Sequence, residues 1–319
     1  MEIRNLGSSG LRVSAIGLGC NNFGGRIDKA ATKLVLHKAF DSGITLFDTA
    51  DTYGARGGGA AGGSEREMGE LMGPMRKEIV LATKFGMSMS ADGTKEGGAR
   101  RYIMRAVEDS LTRLRTDHID LYQIHRADPL TPIEETLRAM DDLVRQGKVR
   151  YIGCSNHEAW RVVEAAWTAE KYSLNRFVSA QDEYSLIHRA PETELMPALR
   201  KYGLGMLPYF PLASGLLTGK YKRNAAMPAG ARLTTTQRLA DRYLSEKNWE
   251  IAERLENFVA ARGRTMLELA FSWLLAQAPV SSVIAGATKP EQLEQNVKAG
   301  DWKFSADELA EIDRITTQT

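Results

Sequence analysis

ITLFDTADTYG, residues 44–54, is a short apolar run that stops on Asp48, and the same pattern recurs along the chain. SAIGLG (14–19) precedes it; EIVLAT (78–83), IDLYQI (119–124), VRYIG (149–153), FVSAQ (177–181), GLGMLPY (203–209) and SSVIA (281–285) follow. Runs of this length, rich in β-branched and aliphatic residues, read as strands buried on both faces. Between them lie stretches of helical spacing: Ile103, Val107, Leu111 and Leu114 recur at intervals of three and four, as do Ile133, Leu137, Met140 and Val144. Strand starts fall about thirty to forty residues apart up to the seventh, room for a strand, a crossover helix and two loops. Eight such units in 319 residues, with no break in composition, predict an α/β fold. The expected form is a (β/α)8 TIM barrel in a single domain spanning 1–319, rather than an open doubly wound sheet.

Two additions to the eight units are expected. Residues Leu6-Gly7-Ser8-Ser9-Gly10-Leu11 read as the turn of an N-terminal hairpin capping the barrel bottom. Between strands seven and eight, 71 residues separate Tyr209 from Ser281, with a polar Pro/Gly-containing stretch from Lys222 to Thr236 and helical segments near 248–262 and 265–277. This long loop/helix insertion reads as a lid.

Composition narrows the partners. Lys and Arg number 42 against 40 Asp and Glu, a net charge of +2, which gives nucleic acid or an anionic membrane no electrostatic hold. No run approaches the roughly 18 apolar residues of a membrane span, and Met1 to Asn5 carries no sorting signal. Two cysteines, Cys20 and Cys154, make neither a disulfide framework nor a metal cluster, so no metal is expected and the location is expected to be cytoplasmic.

Barrel enzymes carry their chemistry at the C-terminal ends of the strands. Here ITLF is followed by Asp48, IVLAT by Lys84, LYQI by His125, YIGC by Ser155 and Asn156; FVSA is followed by Gln181 and MLP by Tyr209. An acid, a base, an imidazole and several amide and hydroxyl groups thus converge on one rim. Tyr53, five residues beyond Asp48, reads as the proton donor. A free tyrosine has a pKa of about 10, and a neighbouring ammonium from Lys84 is expected to bring it closer to neutrality. Asp48 would keep that lysine charged and oriented, and His125 would orient a carbonyl or share the proton transfer. The same residues would also make a buried ion pair under a packed tyrosine.

With these residues in order, the chain resembles the aldo-keto reductases along nearly its whole length. The blocks that carry the resemblance are FDTADTYG (47–54), LATKFG (81–86), DLYQIHR (120–126), GCSN (153–156), YFPLASGLLTGKY (209–221) and VIAGATKPEQLEQN (283–296). The resemblance implies a TIM barrel that binds NADPH without a Rossmann domain and transfers hydride to an aldehyde or ketone. By the same resemblance, Asp48, Tyr53, Lys84 and His125 match the catalytic tetrad, with Tyr53 as general acid. Ser155, Asn156 and Gln181 match the residues that hold the carboxamide, and Tyr209 the ring stacked on nicotinamide; the side-chain groups suit these tasks. Pro211, Leu212, Ser214, Gly215, Leu217 and Lys220 are the expected contacts along the pyrophosphate, with the N–H groups of Gly215 and Gly219 and the Lys220 ammonium facing it. At the adenosine end the expected contacts are Gly286, Lys289, Gln292, Gln295 and Asn296, where a helix opening at Pro290 attracts phosphate.

Two departures from the family pattern stand out. Lys289 is the lone cation of the late block, where relatives that prefer NADPH often add an arginine at the place of Gln292. NADPH/NADP+ is expected, with NADH also open. The tract from Gly54 to Gly63 is longer than usual; its Gly57 to Gly62 portion matches G-x-G-x-x-G, but no strand leads directly into it and the next strand ends in Lys84, so it is no Rossmann fingerprint. Its glycines predict a mobile loop beside the substrate. Asn21, Phe23 and Trp160 are expected at the pocket wall. The substrate expected is a small carbonyl compound, and sequence leaves the oligomeric state unknown. The alternatives are an NAD(P)-dependent sugar or alcohol dehydrogenase, and a cofactor-binding sensor or regulatory subunit.

Overall fold

Alternation along the strands separates two cores. Leu46, Ala82 and Leu121 point inward to a cluster that Leu207 and Ile284 complete, while Phe47, Leu81 and Tyr122 point outward against the helices. The computed structural model describes residues 1–317; Gln318 and Thr319, the last two of the expected domain, lie outside the described residues. A short antiparallel hairpin comes first, β1 (Ile3–Asn5) and β2 (Arg12–Ser14). Eight parallel strands follow: β3 (Ile16–Gly19), β4 (Leu46–Asp48), β5 (Val80–Phe85), β6 (Ile119–Ile124), β7 (Val149–Ser155), β8 (Phe177–Gln181), β9 (Gly205–Met206) and β10 (Val283–Gly286). Their order is β10-β3-β4-β5-β6-β7-β8-β9.

The two ends of this sheet meet. Met206 bridges Val280 in parallel, its N–H donates to the Pro279 carbonyl at 2.6 Å, and the Ile284 N–H donates to the Pro208 carbonyl at 3.0 Å. The strands thus curl into the expected (β/α)8 barrel. Strand β9 is shorter than the run 203–209 suggests, because Pro208 has no N–H to continue a ladder. Strand β3 is likewise shorter, since Ser14 belongs to the hairpin. The hairpin caps the bottom of the barrel: Leu6 and Val13 belong to the inner cluster. The Ser8 N–H donates to the Gly203 carbonyl at 2.8 Å and the Gly7 N–H to Ser281 Oγ at 3.2 Å, both just ahead of strands.

Crossover helices α1 (Lys29–Asp41), α2 (Gly63–Leu71), α3 (Arg100–Leu114), α4 (Ile133–Arg145), α5 (Ala159–Lys171) and α6 (Leu195–Tyr202) surround the sheet. The spacing in α3 translates directly into packing: Ile103, Val107, Leu111 and Leu114 are all buried. The insertion holds α7 (Arg232–Thr235), α8 (Gln237–Tyr243), α9 (Glu246–Ala260) and α10 (Met266–Leu275). Helix α10 starts at a capping box between Thr265 and Glu268. It serves as the seventh crossover, so the true extra material is 210–260. That segment is tied to the barrel mouth through Glu183, just past β8, which accepts the Tyr243 hydroxyl at 2.6 Å and pairs with Arg242. Helices α11 (Pro290–Lys298) and α12 (Ala306–Thr317) close the chain. Among the described residues, no helix is long and apolar enough to cross a membrane.

The glycine-rich tract, read from sequence as a mobile loop, makes close backbone contacts. It is wound against the turn after β3, backbone on backbone. A methyl at Gly59 would stand 1.9 Å from the Gly24 carbonyl oxygen, and one at Gly24, where φ is 66°, would stand 2.3 Å from the carbonyl carbon of Gly63. The glycines are there because two segments of the chain share a space that admits no Cβ. Gly59→Ala is expected to weaken this seam by about 1–3 kcal/mol and to speed amide hydrogen exchange across 54–63. Unchanged exchange would show that the two loops are not interlocked.

Candidate active site

Register assembles the site. Asp48 lies opposite Gly19 and Ala82, Lys84 opposite Gln123, and Ser155 opposite Gln181. Because Leu46, Ala82 and Leu121 face the barrel axis, Asp48, Lys84 and Gln123, two residues on, face it one layer higher. Lys84 is fully buried and its Nζ donates to Asp48 Oδ2 at 2.6 Å and to the Thr49 carbonyl at 2.8 Å. The third direction leads to Tyr53 Oη at 3.4 Å. His125, just past β6, meets the Tyr53 ring edge-on with centroids 5.8 Å apart. All four residues expected at the centre are brought together.

The electrostatics differ from expectation at Tyr53. Burial pushes its phenol up, and the opposing pull of the Lys84 ammonium is not enough to bring it below the ordinary value. Tyr53 is therefore held as a protonated phenol. For Lys84, burial favours the neutral amine, but the Asp48 carboxylate and the Tyr53 hydroxyl outweigh it and raise the pKa. The lysine stays charged.

Around this centre the rim forms a chain of hydrogen bonds. Gln181 Nε2 donates to Asp48 Oδ1 at 2.9 Å, as does Gln123 Nε2 at 3.2 Å. Ser155 Oγ donates to the Gln181 carbonyl at 2.7 Å, and Asn156 Nδ2 donates to Ser155 Oγ and to the His125 carbonyl, both at 2.9 Å. Asn156 takes φ of 54°, which asparagine tolerates, and this turns its amide back over the barrel, where its Oδ1 accepts the Tyr209 hydroxyl at 2.8 Å. Gln123 went unremarked in the sequence; its place two residues before His125 in an alternating strand was the available signal.

The turn after β9 corrects one expectation. The N–H groups of Gly215 and Gly219 are spent on the carbonyls of Leu212 at 2.7 Å and Leu216 at 3.5 Å, so they do not face outward. Pro211 and Leu217 are buried, Leu217 in the core, and Leu212 and Gly215 are partly exposed. What the turn offers instead is the Ser214 hydroxyl, buried with no hydrogen-bond partner among the described residues, and the Lys220 ammonium, 5.1 Å above the Tyr221 ring. At the end of β10, Gly286 is exposed. Gln292 Oε1 accepts the Thr288 N–H at 2.8 Å and the Lys289 N–H at 3.3 Å, so this helix start is already capped by its own side chain. Gln295 lies exposed and Asn296 buried. Of the expected wall residues, Phe23 is fully buried in the outer core and cannot line a pocket. Trp160 stacks on Arg161 and lines a separate cavity of about 330 Å³ with Leu130 and His157. Asn21 lies beside Gly286.

Behind Tyr53 sits a buried acid cluster that sequence reasoning also passed over. Asp51 and Glu65 are both buried; Glu65 holds Arg113 at 2.6 Å and the Thr83 hydroxyl at 2.5 Å, while Asp51 Oδ2 accepts the Tyr102 hydroxyl at 3.3 Å. With two carboxyls facing one guanidinium, a proton is retained: burial, then the Glu65 charge, pushes Asp51 to about 8. The folded chain thus keeps a proton that the unfolded chain releases near pH 3.8, so the stability this group contributes is full in acid and lost as pH climbs to about 8. Asp51→Asn, which mimics the neutral acid, is expected to gain in Tm over the wild type as pH rises through this window. A difference in Tm that does not vary with pH would contradict the assignment.

Comparison with known proteins agrees with this architecture. The family model for the aldo/keto reductase family matches residues 15–317. The chain is similar to L-glyceraldehyde 3-phosphate reductase of Escherichia coli (strain K12), 35% identical over 98% of this chain and 92% of that protein. It is 40% identical to the uncharacterized oxidoreductase YrpG of Bacillus subtilis (strain 168), over 94% of this chain and 91% of that one. A probable voltage-gated potassium channel subunit beta of Oryza sativa subsp. japonica is 36% identical over 94% and 92% of the respective chains. A barrel with this rim, matched over nearly all its length, makes the chain an oxidoreductase that belongs to the aldo/keto reductase family.

Proposed function

We propose that this chain, acting as one barrel domain, reduces an aldehyde or ketone with NADPH, and that Tyr53 is the general acid. The observation that carries the reading is the buried Lys84 ammonium, which reaches Asp48 Oδ2 at 2.6 Å and Tyr53 Oη at 3.4 Å. The cofactor, when bound, supplies the hydride. Tyr53 gives its Oη proton to the carbonyl oxygen as charge develops there, and the phenolate left behind is stabilised by Lys84. His125, against the Tyr53 ring, orients the carbonyl. In the reverse direction the same phenolate would take a proton from an alcohol.

The residues fit a dinucleotide. Ser214 Oγ is a buried hydroxyl with no hydrogen-bond partner among the described residues, and Lys220 is a cation on the same turn. Asn156, Gln181 and Ser155 would exchange their present bonds for a carboxamide, with Tyr209 beside it. Pro211, Leu212, Gly215 and Leu217 would frame the pyrophosphate, and Gly286, Lys289, Gln292, Gln295 and Asn296 the adenosine end. The similarity to a reductase of L-glyceraldehyde 3-phosphate supports a small aldehyde as substrate.

Tyr53→Phe is expected to lower kcat for carbonyl reduction by about 10²–10⁴, with the Kd for NADPH, read by protein fluorescence, changed less than about twofold. Equal activity in this variant would sink the mechanism, and tight cofactor binding without turnover by the wild type on any carbonyl would favour a sensor role. For the cofactor, Lys289→Ala is expected to weaken NADPH more than NADH in the same titration. An equal effect on both would remove Lys289 from the 2′-phosphate.

A further inference from the structure

Two amides serve one oxygen of Asp48. Gln181 Nε2 donates to Oδ1 at 2.9 Å and Gln123 Nε2 at 3.2 Å, while Gln181 Nε2 also donates to Gln123 Oε1 at 3.4 Å, so the three side chains close a ring. None of the three is more than 2% exposed. A carboxylate only accepts, so it fixes the sense of both amides with nitrogen toward Asp48. Gln123 Oε1 is thereby left to receive Gln181.

The two glutamines do not stand at the same height in the barrel. Gln123 lies opposite Lys84 on one side and Gly153 on the other, within the pairing of β6. Gln181 ends β8 and lies opposite Ser155, two residues beyond Gly153. Two residues of strand are about 6.6 Å, so Gln181 springs from the rim and reaches down to Asp48, whereas Gln123 meets the acid from the layer of Lys84. The space at Gln123 is closed: a methyl on Gly153 would stand 3.3 Å from its Cγ. Its side chain has no exposed surface, and among the described residues its hydrogen-bond partners are Asp48 and Gln181 alone. Asp48 thus has one donor that a ligand at the rim can draw away and one that stays.

A buried carboxylate oxygen stripped of its last donor loses a charge-assisted hydrogen bond that water does not replace. We propose that Gln123 is a positioning residue for cofactor binding: it keeps Asp48 Oδ1 hydrogen-bonded when Gln181 leaves it for the nicotinamide carboxamide, so that the Asp48–Lys84 pair stays in place beside Tyr53. The proposal rests on the carbonyl-reductase reading above, in which Gln181 gives up its present bonds for that carboxamide. Gln123 meets no reacting atom. It acts through Asp48, and it affects binding only of a ligand that carries the carboxamide.

The test is a pair of titrations read by protein fluorescence, with NADPH and with 2′-phospho-ADP-ribose, which has the same phosphates and adenosine but no nicotinamide. In Gln123→Met, and in Gln123→Asn, whose shorter amide is withdrawn from Asp48, the Kd for NADPH is expected to rise at least about tenfold, the loss of one charge-assisted hydrogen bond, with the Kd for the nicotinamide-free probe changed less than about twofold. Retained binding of the probe shows that each variant is folded. In a Gln181→Met background, where no amide is drawn away, Gln123→Met is expected to leave the ratio of the two constants unchanged. Equal weakening of both ligands would make Gln123 a packing residue and overturn the proposal. An unchanged NADPH Kd would overturn it too, because Asp48 would not need the second amide, and so would a split that persists without Gln181. Wild-type protein that binds NADPH no more tightly than the probe would instead remove the nicotinamide site on which the proposal stands.

Discussion

An ammonium with no exposed surface, Lys84, sits near the top of the barrel interior, and the arrangement above and around it follows from keeping that charge satisfied. Burying an ion costs several kcal/mol unless its partners are close and well placed. Here the Asp48 carboxylate and the Thr49 carbonyl accept hydrogen bonds from the ammonium, and Tyr53 Oη lies in the remaining direction. Asp48 is in turn held by two amides, Gln123 and Gln181. The lysine thereby acts as an anchor for the phenol: Tyr53 stays protonated because it is buried, yet the positive charge that would stabilise its anion is already in place.

That centre depends on features far from it in sequence. The hairpin plugs the lower barrel with Leu6 and Val13, which leaves the upper layer for polar residues. The hydrogen-bond chain through Gln181, Ser155, Asn156 and Tyr209 ties the Asp48–Lys84 pair to the turn at 210–221, so the rim forms one connected polar network. Glu183 holds the inserted helices over that turn, and the glycine seam holds the loop after β4 against the turn after β3. The Tyr53 loop is consequently fixed from three sides: by Lys84, by the seam, and by the acid cluster of Asp51, Glu65 and Arg113.

Much of this was legible in the sequence, for a physical reason. Parallel strands buried on both faces leave an unbroken apolar signature, and the residue at which the run stops is the one that reaches the rim, so Asp48, His125, Ser155 and Gln181 could be read directly. Lys84 was read as following its strand, although it lies inside β5; alternation carries it to the same place. What could not be read was the sense of a balance. The sequence places an ammonium near Tyr53, but whether charge or burial prevails depends on how much solvent reaches the ring. Likewise, glycines signal freedom in a sequence, and only the approach of Gly24 to Gly59 reveals that they serve contact. The N–H groups of Gly215 and Gly219 were misjudged because local turns consumed them. Gln123 and Asp51 carry no motif of their own and acquire meaning only from what lies opposite.

The central claim, that Asp48 and Lys84 are a mutually dependent buried pair on which the site is built, is tested most directly by a double-mutant cycle in urea unfolding. Asp48→Asn and Lys84→Met are each expected to cost about 3–5 kcal/mol, because each leaves an uncompensated buried group. The double variant is expected to be destabilised by clearly less than the sum, giving a coupling energy above about 1 kcal/mol. Additive losses would contradict the account, since they would mean that each side chain is held by its other partners and that the pair does not organise the rim.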